Sequence, residues 1–297
     1  TVGDGLAHGY VWGLQPSADG GLWVLSHEDV NDDRNPVPVL QKLTGQTIHT
    51  YDVGTRVLAV LETTDGSLWL GGDDIVMRVE GDTVRPVPRA TRLGWVHGMV
   101  QGADGAVWVA ADSGAFRHDD DSLRVVVPTA SLSQYAKGTP SAVLALAPGM
   151  DGEMWLGTNG GLARVADDAL EHFTEIDGLP ERRIGAMLVD QAGDLWLGTG
   201  GWNLGGNGVA RYLGNEITTF AEAEGLSSKV VGAIGQGADG DIWIGTAVGV
   251  DRLNGNRIRA VQDLGRTKGP KSIVRDRRGD LWLGARGVFR CRGHECQ

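Results

Sequence analysis

Short apolar stretches are separated along the whole chain by turns rich in Asp and Gly. Seven of these stretches share the form Asp-Gly-x-apolar-Trp-apolar-Gly, centred on Trp23, Trp69, Trp108, Trp155, Trp196, Trp243 and Trp282. The tryptophans lie 46, 39, 47, 41, 47 and 39 residues apart. A period-two pattern predicts strands, and a recurrence of about 40–45 residues that contains several strands predicts four-stranded blades. The expected fold is all-β: one seven-bladed β-propeller of four-stranded antiparallel blades over residues 1–297. Its inner strands are expected near residues 10, 57, 96, 143, 184, 230 and 271.

Counting from each Trp, position −3 is Gly in all seven units, and position −4 is Asp in all but two, where Ala192 and Arg278 stand. Asp-Gly between two strands predicts a tight hairpin, because both residues tolerate positive φ. These aspartates are therefore read as turn formers rather than calcium ligands. Position −12 is mostly β-branched and −10 is small, as in Val57/Ala59 and Ile184/Ala186, which fits crowded strands around a central channel. The Gly two residues after most of the tryptophans shares the Trp face and leaves room for the neighbouring blade. Burying one Trp removes roughly 150–250 Å² from water, worth about 4–6 kcal/mol as an upper bound. The seven tryptophans are thus expected in the core.

A cation recurs in the third strand of each unit: Lys42, Arg78, Arg117, Arg164, Arg211, Arg252 and Arg290. A charge present in every blade is expected to stack on the Trp or pair within the blade, not to bind a ligand.

Composition narrows the partners. The 297 residues carry a formal net charge of −11, which argues against nucleic acid as a partner. No apolar run reaches the ~18 residues of a membrane span. The chain begins without Met or a signal peptide, as expected of a processed or excised segment. Joining its ends restores a nearly normal unit spacing, so the termini are expected to meet in the outermost strand of the last blade. Cys291 and Cys296 flank the turn there. A disulfide between them is expected, which would point to an oxidising compartment; free thiols or half a metal site are the alternatives.

The phrases Asp177-Gly178-Leu179…Gly193-Asp194-Leu195-Trp196-Leu197-Gly198-Thr199 and Glu224-Gly225-Leu226…Asp239-Gly240-Asp241-Ile242-Trp243-Ile244-Gly245-Thr246 resemble the two-component regulator propeller repeat. The likeness runs through the whole chain and departs at Leu25-Ser26 and Ala110-Ala111, where the family has Gly-Thr. It implies a sensor-type propeller, extracytoplasmic (periplasmic or secreted), cut from a bacterial membrane receptor that signals to a kinase or a cyclase.

Ligand chemistry is expected at one mouth of the channel, where the loops leading into the first strands and those joining second to third strands gather. From Trp to the third-strand cation there are 8 or 9 residues in five units, but 15 in unit five and 19 in unit one. Insertions confined to one face of a repeat protein are where binding residues collect. The candidate ligand-binding residues are Tyr10, His27, Arg56, Trp95, His97, Arg182, Arg183, Trp202, Asn203 and Lys229. Guanidinium forks beside flat rings suit an anionic ligand or a carbohydrate acid, and a protein partner is the other class. Asp29, Asp32 and Asp33 in the first insertion form a weak candidate for calcium; otherwise no cofactor is expected. The turn end of the channel is expected to offer little.

No nucleophile elbow, zinc-protease helix or phosphate loop occurs. A non-catalytic recognition domain is therefore expected. The alternatives are a propeller lyase acting on a polysaccharide or a cyclic antibiotic, whose family shares the shape but not the Leu-Trp-Leu-Gly-Thr phrase, and a protein-interaction scaffold.

Overall fold

The computed structural model describes residues 5–297 apart from 8, 28–38, 81–82, 134–140, 168, 201–204, 262–263, 265–268 and 294. Seven four-stranded antiparallel sheets follow one another along the chain, each paired in sequence order from inner to outer strand. Blade one consists of Tyr10–Pro16, Leu22–His27, Val39–Thr44 and Thr47–Tyr51. The other inner strands are Val57–Glu62, Val96–Gln101, Val143–Pro148, Ile184–Val189, Val231–Gln236 and Ser272–Arg275. The inner strand of blade one touches the first two strands of blade seven, which closes the ring. Leu6 adds to this seam, sharing a buried cluster with Val11, Leu14, Val274, Trp282 and Val288.

The outer strand of the last blade is Glu295–Cys296, and Cys291 faces Cys296 across the turn and is disulfide-bonded to it. The first four residues, which the sequence places beside this strand, lie outside the described residues.

Two sequence rules have a direct steric cause. A Cβ added to Gly71, Gly198 or Gly284 would lie 2.5, 2.7 or 2.7 Å from a Val Cγ1 of the next inner strand, on Val96, Val231 and Val11 respectively. The Gly after the Trp is therefore the socket for the β-branched residue at −12 of the next blade. Six of the third-strand cations lie over the indole rings, from Lys42 on Trp23 at 4.7 Å to Arg252 on Trp243 at 5.9 Å. They also pair with turn carboxylates, for example Lys42 with Asp19 at 2.7 Å and Arg117 with Asp104 at 2.6 Å. These cations serve the blade.

The two exceptions at −4 follow from a carboxylate moved by two residues. In four units the −4 Asp accepts from the backbone N–H at −2, as in Asp19 from Gly21 at 2.9 Å and Asp104 from Ala106 at 3.0 Å. In blade five Asp190, at −6, accepts from the N–H groups of Ala192 and Asp194, both at 2.9 Å, and from the Trp196 indole at 2.8 Å. Asp276 does the same for Arg278, Asp280 and Trp282 in blade seven. Both positions reach the same donor, so only one needs the acid.

A feature that the spacing did not reveal sets up the channel. In six blades the pairing of first and second strands slips between −12 and −10, leaving the residue at −11 unpaired. Bulges of this kind re-aim one side chain out of the sheet. The residues at −11 are Trp12, Leu58, His97, Leu144, Gly185, Gly232 and, in blade seven just before its strand, Lys271.

Candidate functional site

His97, Leu144, Gly185, Gly232 and Lys271, five of the seven residues at −11, line a channel cavity of about 240 Å³. It lies toward the end of the ring where second strands turn into third strands. The stems of both long insertions lie there too: the His27 ring is 4.9 Å from Tyr10 and 5.9 Å from Trp12, and Gly200 donates to the Arg183 carbonyl at 2.9 Å. The interiors of the insertions, and with them Asp29, Asp32, Asp33, Trp202 and Asn203, lie outside the described residues. Among the described residues, no group of three or more His, Cys, Asp or Glu is arranged to hold a metal ion.

Two groupings form the rim. On blades two and three, the Arg56 guanidinium lies 5.3 Å over the Trp95 ring. Trp95 is fixed through its backbone, which bridges to Asp73 and donates to Asp112 Oδ2 at 2.9 Å, while its ring remains 48% exposed. The other Asp112 oxygen is 2.8 Å from His97 Nε2. One carboxylate thus holds both the exposed indole and the imidazole. On blade one, Trp12 is 37% exposed and donates from its indole to the Leu58 carbonyl at 2.9 Å.

Blades four, five and seven supply the second grouping. Arg183 is half buried; its guanidinium donates to the Asn159 side chain, while its Nε lies buried with no partner. Burial lowers its pKa below the ordinary arginine value. Lys271 is mostly buried, and burial together with the nearby Arg183 charge pulls its amine down to about 8. Lys271 lines the channel cavity, and the Arg183 charge adds to burial in disfavouring its protonated form.

The remaining sequence candidates are placed otherwise. Arg182 turns to Glu175, its Nε donating to the carboxylate at 2.6 Å, and Lys229 is exposed, with its carbonyl accepting from Gly208 at 2.8 Å. Sequence reasoning missed Trp12, Asp112, Asn159 and Lys271. For Trp12 and Lys271 the available signal was the freely varying residue between −12 and −10, which the repeat rule treats as filler.

The turn end was expected to offer little, yet the larger cavity opens there: about 550 Å³, lined by Gln15, Glu62, Asp190, Gln236, Arg275 and Arg277 among others. Its polar groups are already engaged between blades. Glu62 accepts from Ala18 N at 2.6 Å and from the Trp23 indole at 2.6 Å, Gln236 accepts from Gln191 N at 2.9 Å, and Arg277 donates to the Ala18 carbonyl at 3.1 Å. The space is large, but its chemistry is spent on joining blades.

Comparison with known proteins agrees with this architecture. The family model "Two component regulator propeller" matches residues 178–201, within the repeat centred on Trp196. No curated protein matches the chain by sequence. Among solved structures, virginiamycin B lyase from Staphylococcus aureus superposes with a TM-score of 0.72 at 17% identity, covering 94% of this chain and 92% of that one. The extracellular domain of a putative hybrid two component system from B. thetaiotaomicron gives 0.64 at 17% identity, covering 92% of this chain and 44% of that one. The WD40 propeller domain of Doa1 gives 0.67 at 14% identity, covering 95% and 92%. At these identities the likeness shows the fold. The chain is a seven-bladed β-propeller in which residues 178–201 match the two-component regulator propeller repeat.

Proposed function

We propose that this propeller is a recognition domain that binds a small anionic ligand, carbohydrate acids included, at the loop-bearing mouth of its channel. The observation that carries this reading is Arg183, half buried with a partnerless Nε at the loop-bearing mouth of an otherwise acidic protein, with Lys271 lining the channel cavity. An anion there gains charge-assisted hydrogen bonds from the guanidinium. Arg56, Trp95 and Trp12 add a second cation and two flat faces on which a sugar ring can stack.

An extracytoplasmic place in a signalling receptor is supported by the Cys291–Cys296 disulfide, by the repeat family, and by the neighbour that is an extracellular domain of a two component system. No helix among the described residues is long and apolar enough to cross a membrane.

The test is a thermal-shift panel of sugar acids and small carboxylates against the native protein and Arg183→Gln. A rise in melting temperature with an anion, lost in the variant, is expected. If neutral and anionic members of the panel behave alike, the reading fails.

A second reading is favoured by the 2.8 Å His97–Asp112 contact, which orients an imidazole as a general base would be oriented. It makes the protein a lyase on a uronate polysaccharide. Ultraviolet absorbance from an unsaturated product, lost in His97→Gln, would establish it.

A further inference from the structure

We propose that the turn-end face of the disc pairs with the same face of a second copy of this chain, about a two-fold axis that sets the basic sector of each on the acidic sector of the other. Charge is divided unevenly along the sequence. Residues 250–297 hold 12 Lys and Arg against 5 Asp and Glu, a formal charge of +7, whereas residues 1–249 hold 15 against 33, a charge of −18. The basic stretch forms the outer half of blade six and all of blade seven. Within a blade, the hairpin of strands one and two and the hairpin of strands three and four turn at the same end of the ring. There blades six and seven expose Arg257, Arg277 and Arg278, and blades three and four expose Asp120, Asp121, Asp151 and Asp167. Among the described residues none of these side chains is ion-paired, unlike Lys42 with Asp19 or Arg117 with Asp104 at the same end.

Blades three and six, like blades four and seven, stand three places apart in a ring of seven, close to diametrically opposite. The face is therefore a lateral dipole. A two-fold axis lying in the face, at right angles to the line between the sectors, lays each sector on its opposite in the other copy. One patch thus supplies both halves of the match. An anionic surface fits worse, because the acids share the face with the arginines. Met150, 68% exposed in the first turn of blade four, and Leu213, 52% exposed at the end of the third strand of blade five, add apolar area against which arginine stems can lie. A standard interface buries about 800 Å² per copy, a small part of the 14228 Å² surface of this chain. Each copy carries −11 overall, but that repulsion is screened beyond about 8 Å at physiological ionic strength, whereas the facing sectors meet at contact. Both loop-bearing mouths point outward and stay open to a ligand, so the pairing goes beyond the recognition reading and does not depend on it.

The test is mass by light scattering over a dilution series of the native chain and of two charge variants. The native chain is expected as a dimer of twice 31.4 kDa that dissociates on dilution. Arg257→Glu with Arg278→Glu turns the basic sector acidic. Asp120→Asn, Asp121→Asn, Asp151→Lys and Asp167→Asn together turn the acidic sector basic, and Asn tolerates the positive φ of 45°, 62° and 51° at positions 120, 121 and 167. Each variant alone is expected to self-associate on the order of a hundredfold more weakly than the native chain, since like charges then face each other in both halves of the contact. Mixed in equal amounts, the two variants should pair, because an acidic face meets a basic one. Unchanged circular dichroism shows that each variant is folded. A native chain that stays monomeric at every concentration overturns the proposal. So does a dimer that both variants keep, or a mixture of the variants that stays monomeric.

Discussion

The two ends of the channel are built from the same seven strands, yet they handle polar groups in opposite ways. At the turn end, side chains are bonded to the backbone of the preceding blade: Glu62 to Ala18, Gln101 to Thr64, Gln236 to Gln191 and Arg275 to Gly237. At the loop end, Arg183 keeps a buried Nε without a partner. Cavity volume ranks the ends one way and unspent chemistry ranks them the other. A buried group with all its bonds made stabilises the fold, whereas a group left short of bonds is available to a ligand. The larger cavity is therefore not the better site.

The sharpest way to break the comparison is at the turn end. Asp190→Ala removes three hydrogen bonds and strands the Trp196 indole N–H in the core. A loss of about 2–4 kcal/mol is expected in denaturant unfolding. A loss under about 0.5 kcal/mol would mean that the turn carboxylates are not structural.

Asp251 tests the loop end. It is fully buried, and burial raises its pKa although Ser227 donates to it from both N–H, at 2.8 Å, and hydroxyl, at 2.5 Å. Its folded-state pKa lies above the unfolded value, so folding favours the protonated form. The associated stability is present below the unfolded pKa near 4 and is lost as pH rises through the folded value. Asp251→Asn is expected to stabilise by about 1 kcal/mol at pH 7, and the gain should disappear below about pH 4. Destabilisation at pH 7 would show that the Ser227 bonds outweigh desolvation.

A smaller effect sharpens the turn-end rule. Blade six has Gly237 at −6 and Asp239 at −4, and the Trp243 indole nitrogen has no acceptor. Moving the acid, as Gly237→Asp with Asp239→Ala, copies blade five and should gain up to about 1 kcal/mol. The second change also removes the 2.7 Å pair between Arg252 and Asp239, which is partly exposed and contributes little. A fall in melting temperature would refute the equivalence of the two positions.

The smallest stability effect is expected where the functional effect is largest. Arg183→Gln should change unfolding free energy by under about 0.5 kcal/mol, or raise it slightly by relieving Lys271. The amine of Lys271 should then titrate closer to the ordinary lysine range, which a labelling rate followed against pH would detect.

Much of the architecture was legible because it repeats and is local. Blade number and strand order follow from the tryptophan spacing, since each unit carries its own turn, socket glycine and cation. The stacking of Arg211 on Trp196, 5.6 Å from its ring centroid, could be read because opposed residues on paired strands are fixed by register. The candidate site was only partly legible. The first position of each inner strand suggested Arg56, Trp95 and Arg183, but Arg182, next in sequence to Arg183, turns away to Glu175.

By itself, the sequence determined seven units, the face each Trp buries and the hairpin at each Asp-Gly. All of these are set within a few residues by backbone preference and a period of two. Only the tertiary structure decided that the residue at −11 leaves the sheet and that five such residues, Lys271 among them, line one cavity. It also decided that His97 and the Trp95 backbone share the Asp112 carboxylate. Neighbours around a ring axis are fixed by the twist and packing of seven sheets, a sum over the whole chain that no local spacing encodes.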